Sequence, residues 1–181
     1  MSSAPARTQH DLLAQFESAA RTAFATVERV PFSAAALASA VGNVAHGRIA
    51  IAEPLDLPSE LFAELRRMPG IVSARSTSEL ASCDVGITDA FTAVARTGSV
   101  CVTVDHEYAG AISLLSRLHV AVLSAETIVE RPADLFRPDR LGGKGLIRNF
   151  VFVTGPSATA DMGPLVRGVH GPHKLHVIVL E

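Results

Sequence analysis

The strongest constraint on the fold is a set of short aliphatic runs in the second half of the chain. They read Ser-Val-Cys-Val-Thr-Val at 99–104, His-Val-Ala-Val-Leu at 119–123, Phe-Val-Phe-Val at 150–153 and Leu-His-Val-Ile-Val-Leu at 175–180. Each is short for a helix, rich in β-branched residues and bounded by turn-forming residues, so each reads as a buried strand. Segments with helical spacing lie between strands, 108–118 most clearly. Strands joined by helical crossovers pair in parallel. The expected fold is α/β, with a mostly parallel, doubly wound sheet.

The first half supplies further elements. Asp11 can cap a helix carrying Leu12, Leu13, Phe16, Ala20 and Phe24 that ends before Pro31, and Ser33 a second one through Val41. Residues 1–10 read as a flexible lead-in, 11–45 as helical, and 11–181 as a single domain. Runs at 47–52, 71–74 and 84–88 read as strands, 60–68 and 127–136 as helices, and 89–96 as helix or turn. Residues 139–148 read as a loop and 159–166 as a short helix.

Composition excludes several function classes. A net charge of −2 offers no attraction for nucleic acid. No apolar run reaches the roughly 18 residues of a membrane span, and residues 1–9 lack a signal core, so the expected location is cytoplasmic. Cys83 and Cys101 form no CxxC pair. A cysteine-built zinc site or iron–sulfur cluster therefore cannot come from this chain alone, and both thiols read as small buried hydrophobes.

The stretch Thr154-Gly155-Pro156-Ser157-Ala158-Thr159-Ala160-Asp161 has the chemistry of a ligand loop. A strand ends at Thr154, Gly155-Pro156 turns the chain, and Ser157 or Thr159 can cap a following helix whose free N–H groups suit an anion. An ordinary capped helix explains the residues equally well. His170, between Gly168 and Gly171 and followed by Pro172, can carry a proton near neutral pH, with Asp161 orienting it. His170, His173 and His176 recur at every third position, but Pro172 breaks any shared helical face, so no metal site is expected. Thr88, Gly98 and Ser99 lie in a glycine-flanked segment that permits close approach of backbone or ligand. Asp105-His106-Glu107 follows a strand and reads as solvated loop. Gly142-Gly143-Lys144-Gly145 lacks P-loop spacing. A Ser157–His170–Asp161 triad can be written, but no Gly-x-Ser-x-Gly elbow supports it.

These segments together resemble the LUD-domain family, the group around lactate utilisation protein C. The resemblance runs through Asp84-Val85-Gly86-Ile87-Thr88, Ala93-Val94-Ala95 with Thr97-Gly98-Ser99, and Ser113-Leu114-Leu115 with His119-Val120. It continues through Thr154-Gly155-Pro156-Ser157 with Thr159-Ala160-Asp161, and closes at Gly168-Val169-His170-Gly171-Pro172. It covers roughly residues 80–181. The family looks related to the sugar-phosphate isomerase, CoA-transferase and 5-formyltetrahydrofolate cyclo-ligase superfamily. That relation implies a three-layer α/β/α sandwich with a small-molecule site at the carboxyl edge of the strands. The family pattern has acidic residues where this chain has Phe91 and Arg96, and a proline-containing link in place of Ser116-Arg117-Leu118, so no catalytic mechanism carries over. Arg96 could instead pair with an anionic ligand.

The resemblance implies a component without an iron–sulfur cluster in an organic-acid oxidation system, L-lactate to pyruvate, beside iron–sulfur partner proteins. The expected ligand is a small anionic metabolite or a cofactor of unspecified identity, and turnover by this chain alone stays open. Candidate ligand contacts are Thr88, Gly98, Ser99, Thr154, Gly155, Pro156, Ser157, Thr159 and Gly171, with His170 and Asp161 as the candidate catalytic pair. The alternatives are a stand-alone cyclo-ligase- or isomerase-like enzyme using the scattered cations Lys144, Arg148, Arg167 and Lys174, and a scaffold subunit with a vestigial pocket. A homodimer is a further expectation, because the short N-terminal helices leave few neighbours to bury Phe16 and Phe24.

Overall fold

A computed structural model describes residues 7–105, 108–137, 149–160 and 163–181. In chain order its helices and strands are α1 (Gln9–Thr22), β1 (Thr26–Val30), α2 (Ala34–Val44), β2 (Ile49–Ile51), α3 (Thr77–Ala81), β3 (Val85–Asp89), β4 (Thr92–Val94) and β5 (Ser99–Thr103). Then follow α4 (Ala109–Leu115), β6 (Leu118–Ser124), β7 (Phe150–Val153), β8 (Ala158–Thr159), β9 (Val166–Arg167) and β10 (Lys174–Leu180). Five strands form an entirely parallel sheet in the order β1-β10-β6-β3-β2. The α/β sandwich expected from the sequence is present.

Strand alternation divides the core into two layers. On one face Ala121, Leu123, Val177 and Val179 pack against Leu13, Phe16 and Ala20 of α1 and against Val100 and Val102 of β5. On the other, Val120, Val122, Ile178 and Leu180 pack against Leu37 and Val41 of α2 and against Leu61, Phe62 and Leu65. Both faces of β6 and β10 are thus dry, which is why their sequences run apolar without alternation. A smaller cluster joins Leu80 of α3 and Ile112 of α4 to the β2 edge. Cys83 and Cys101 are buried, and burial pushes both thiols up, Cys101 to about 12.

Several elements differ from the sequence reading. Strands β5 and β7 share the aliphatic signature of the main sheet but form a separate antiparallel layer, β4-β5-β7, and β4 replaces the expected helix or turn at 89–96. The expected helix at 159–166 is absent from its described residues. Ala158–Thr159 instead pairs antiparallel with Val166–Arg167. Gly163-Pro164 explains this, since proline in mid-helix removes a backbone donor and clashes with the preceding turn. The first helix is capped by Thr8, with Asp11 completing a capping box, and it stops at Thr22. Phe24 then turns with φ of 65°, and β1 occupies what looked like the end of that helix. The segments 60–68 and 127–136 are broken 3-10 turns, and 71–74 contributes one bridge, Ile71 to Ile49. The Gly142–Gly145 run, Lys144, Arg148, His106 and Glu107 lie outside the described residues.

Phe16 is fully buried within this chain, whereas Phe24 is exposed with the Arg167 guanidinium 4.0 Å above its ring. Burial of Phe16 thus gives no reason for a dimer. Among the described residues no helix is long and apolar enough to cross a membrane.

Two glycines test the packing with opposite sign. Gly98 turns β4 into β5 at φ of 68°, and a Cβ there would lie 2.3 Å from the Ala20 nitrogen of α1. Gly42 lies exposed within α2, and an added Cβ would meet only the Met68 methyl at 3.7 Å. Gly98→Ala is expected to cost about 2 kcal/mol or more, and Gly42→Ala to stabilise by about 0.5–1 kcal/mol. Urea denaturation of both variants checks the pair, and equal effects would contradict the packing described.

Candidate functional site

The site begins with a histidine in the dry sheet. His119 is the second residue of β6 and pairs in register with Gly86 of β3 on one side and Leu175 of β10 on the other. Gly86 has no side chain because α4 sits on it: a Cβ there would lie 2.2 Å from the Ile112 carbonyl oxygen. The close approach brings α4 down onto β3, and Ser113 and Leu114 at its end line the same cavity as His119. His119 is fully buried, its Nε2 lies 2.9 Å from Thr88 Oγ1, and its Nδ1 has no hydrogen-bond partner. Burial pushes its pKa down to about 4, so the ring is neutral at neutral pH.

The loop after β7 forms the opposite wall. Gly155, at φ of 71°, turns it against the end of α1, where a Cβ would meet the Ala23 carbonyl oxygen at 1.9 Å. Ser157 donates its backbone N–H to the Pro172 carbonyl (2.9 Å), and the Gly168 N–H donates to the Ser157 carbonyl (2.8 Å). A Cβ on Gly171 would come 3.1 Å from that of Ser157. These bonds stitch the 154–158 and 168–172 loops together. Between them, α4 and β6 lies a cavity of about 510 Å³.

Thr154, Gly155, Pro156, Ser157, His170 and Gly171 all line this cavity, as do Ser113 and His119. Ser113 donates its hydroxyl to the Gly110 carbonyl at 2.8 Å, leaving its oxygen free to accept. Ser157 Oγ and the exposed His170 ring make no hydrogen bond to any described residue. Two other candidates stand one bond behind the wall. Thr88 holds His119, and Ser99 Oγ holds Thr154 Oγ1 at 2.7 Å in a chain that starts at Thr97. Gly98 packs on α1, and Thr159 pairs in β8, so neither lines the cavity. Asp161 lies outside the described residues.

The cavity lies where β6 and β10 begin, not at the carboxyl edge of the parallel sheet. The helix-terminus argument for an anion also lapses, because no helix follows Ser157 among the described residues. Arg96 occupies the exposed β4–β5 turn, away from this wall, and Phe91 packs edge-on against Phe150 at 5.2 Å. His176 is a buried strand residue bonded through Nδ1 to Thr26 Oγ1 at 2.7 Å, and His173 is exposed. No group of three metal-ligating side chains occurs among the described residues. Sequence reasoning missed His119 and Ser113 as site residues. The available signal was a histidine inside an otherwise aliphatic strand, which needs a polar partner to be buried.

The two buried histidines make stability depend on pH. Burial lowers His119 from 6.5 to about 4, and burial also lowers His176 against the upward pull of Glu28. The unfolded chain takes up protons near pH 6.5, whereas the folded chain refuses them until lower pH. Stability therefore falls as pH drops from 6.5 toward 4. For His119 alone the loss is about 2 kcal/mol by pH 5. Urea titrations at pH 7.5 and 5.0 should show it in the wild type, and His119→Gln should lack that share. Equal losses in both proteins would mean the ring is not held neutral.

Among known proteins, the chain matches the LUD domain family over residues 17–180. It is 36% identical over 112 residues to lactate utilization protein C of Shouchella clausii, covering 60% of this chain and 49% of that protein. It is 34% identical over 102 residues to lactate utilization protein C of Oceanobacillus iheyensis, covering 54% and 44%. The chain spans about half the length of these curated relatives. A crystal structure of a DUF162 family protein from Deinococcus radiodurans shares the fold, with a TM-score of 0.68 at 23% identity over 97% of this chain and all of that one. Because the family match takes in nearly the whole chain, this protein belongs to the LUD domain family.

Proposed function

We propose that this chain is the ligand-binding component, without an iron–sulfur cluster, of an organic-acid utilisation system, with oxidation of L-lactate to pyruvate as its chemistry. The observation that carries the reading is the cavity between the stitched 154–158 and 168–172 loops. Relatives named lactate utilization protein C supply the metabolic context. Cys83 and Cys101 are buried in separate clusters, which fits a component whose clusters reside on partner proteins. In this reading the ligand is a small anionic metabolite or a cofactor. Ser157 Oγ and the backbone of 155–157 hold it, and His170 closes the mouth and supplies a proton that can be exchanged. Thr88 and Ser99 act through His119 and Thr154.

Disruption of the gene in its host, with growth followed on L-lactate and on glucose, tests the assignment. Growth on lactate should fail while growth on glucose is spared. The wild-type gene should restore it, and a Ser157→Ala, His170→Ala double variant should restore it by less than a tenth. Unimpaired growth on lactate, together with ATP-dependent turnover of a folate by the purified protein, would replace this reading with the stand-alone cyclo-ligase.

A further inference from the structure

A second cavity, of about 510 Å³, lies at the amino ends of β1, β6 and β10. Pro156 and Leu175 line both this cavity and the first, so the two share a wall. Arg167 and Lys174, which read as scattered cations in the sequence, line it together with His173. None of the three side chains is ion-paired among the described residues, whereas Arg21, Arg29 and Arg66 are paired with glutamates. Glu28 lies 3.5 Å from His176 Nε2 but is not among the described lining residues.

The cationic wall is held in place. Phe24 follows α1 at φ of 65°, donating its N–H to the Arg21 carbonyl while the Ala25 N–H donates to the Ala20 carbonyl. Helices that end this way usually place glycine at that position, because a side chain there is strained. Phe24 is nevertheless 58% exposed, so the fold gains little from burying it, and its ring instead seats the Arg167 guanidinium at 4.0 Å. A guanidinium seated on a ring still has N–H edges to offer an anion. His173 packs on Gly168, where a Cβ would lie 2.4 Å from its ring. The N–H groups of His173 and Lys174 both donate to the Arg117 carbonyl, at 2.9 and 3.2 Å, which fixes the backbone carrying them.

Arginine offers a fork of donors that matches two oxygens of a phosphate, and lysine adds a point charge. Two cationic side chains suit the nearly double charge of a phosphate monoester better than the single charge of a carboxylate. The rest of the wall includes Phe24, Val44, Leu118, Pro156 and Leu175, and its volume is in the range of sites for whole organic ligands. We propose that this second cavity binds a phosphate monoester of a small organic molecule. Arg167, Lys174 and His173 contact the phosphate, the apolar wall covers the organic body, and Phe24 is a positioning residue for Arg167. This goes beyond the reading of the first cavity and does not depend on it.

The test follows the Arg167 side-chain 1H–15Nε signal and the heat of binding in the full chain at low ionic strength. The probes are adenosine monophosphate and phenyl phosphate, their unphosphorylated forms adenosine and phenol, inorganic phosphate and L-lactate. At least one ester should shift the Arg167 signal and bind more tightly than inorganic phosphate, while adenosine and phenol leave the signal in place. Arg167→Gln and Lys174→Gln should each weaken that ester about 10-fold or more, the loss expected for one charge-assisted hydrogen bond. Arg67→Gln, which removes an exposed arginine outside the cavity, should not weaken it. Phe24→Gly should weaken it roughly 2- to 5-fold while the chain stays folded, because glycine suits that backbone better than phenylalanine. Arg167, Lys174 and Phe24 are all exposed, so the variants leave the core intact. The proposal falls if no ester shifts Arg167, or if adenosine or phenol binds as tightly as its ester. It also falls if Arg67→Gln weakens binding as much as Arg167→Gln, or if L-lactate shifts Arg167 more than any ester does.

Discussion

A histidine set between Gly86 and Leu175 in the middle of a parallel sheet has no water around it, so the neighbouring elements must dictate its charge and its hydrogen bonds. Thr88, two residues after Gly86 on the same face of β3, supplies the bond to Nε2. Gly86 supplies space, because its missing Cβ lets α4 descend onto the sheet. Ser113 and Leu114 at the end of α4 line the same cavity as His119. Gly86, Thr88 and His119 are one device, spread over two strands and joined by register. The device leaves one ring nitrogen, Nδ1, without a partner inside an otherwise apolar core.

The sheet was legible because burial on both faces leaves a mark that survives in a single sequence. The runs at 84–88, 119–123 and 175–180 are strands of the parallel sheet, as their aliphatic content suggests. The same mark cannot identify partners. Ser99–Thr103 and Phe150–Val153 are equally aliphatic, yet they pair antiparallel in a second layer, since hydrophobic content reports dryness and not direction. Strand β1 escaped for the opposite reason. It is an edge strand carrying Glu28 and Arg29, and Arg29 spends its charge on Glu17 of α1 at 2.7 Å. A half-exposed strand with charged residues looks like the tail of a helix when only its apolar positions are read.

The loops at 154–157 and 170–172 were legible as a candidate site because glycine, proline and hydroxyl residues cluster there, and the structure brings them together on one cavity. The local backbone was not. Ser157, Thr159 and Asp161 spell a helix cap, but the Gly163-Pro164 pair that forbids the helix acts only at the level of the whole segment. The buried wall was harder still. A lone histidine in an aliphatic strand usually means a satisfied core residue, and half of this one is. Only the register against Gly86 and Thr88 shows that the other nitrogen has nothing to bond.

Apolar side chains also reach the surface beside the cavity. Leu114 is 55% exposed and Phe152 41%, and Val151 beside them belongs to β7, an edge strand of the small sheet. Isolated apolar residues on a surface need no explanation, but these frame a concave site with no Lys, Arg, Asp or Glu among its described lining residues. Affinity must come from apolar area covered and a few short polar contacts. Covering about 200 Å² of apolar surface contributes roughly 5 kcal/mol, from which the cost of ordering the ligand is then subtracted. A three-carbon acid has too little surface to reach that figure.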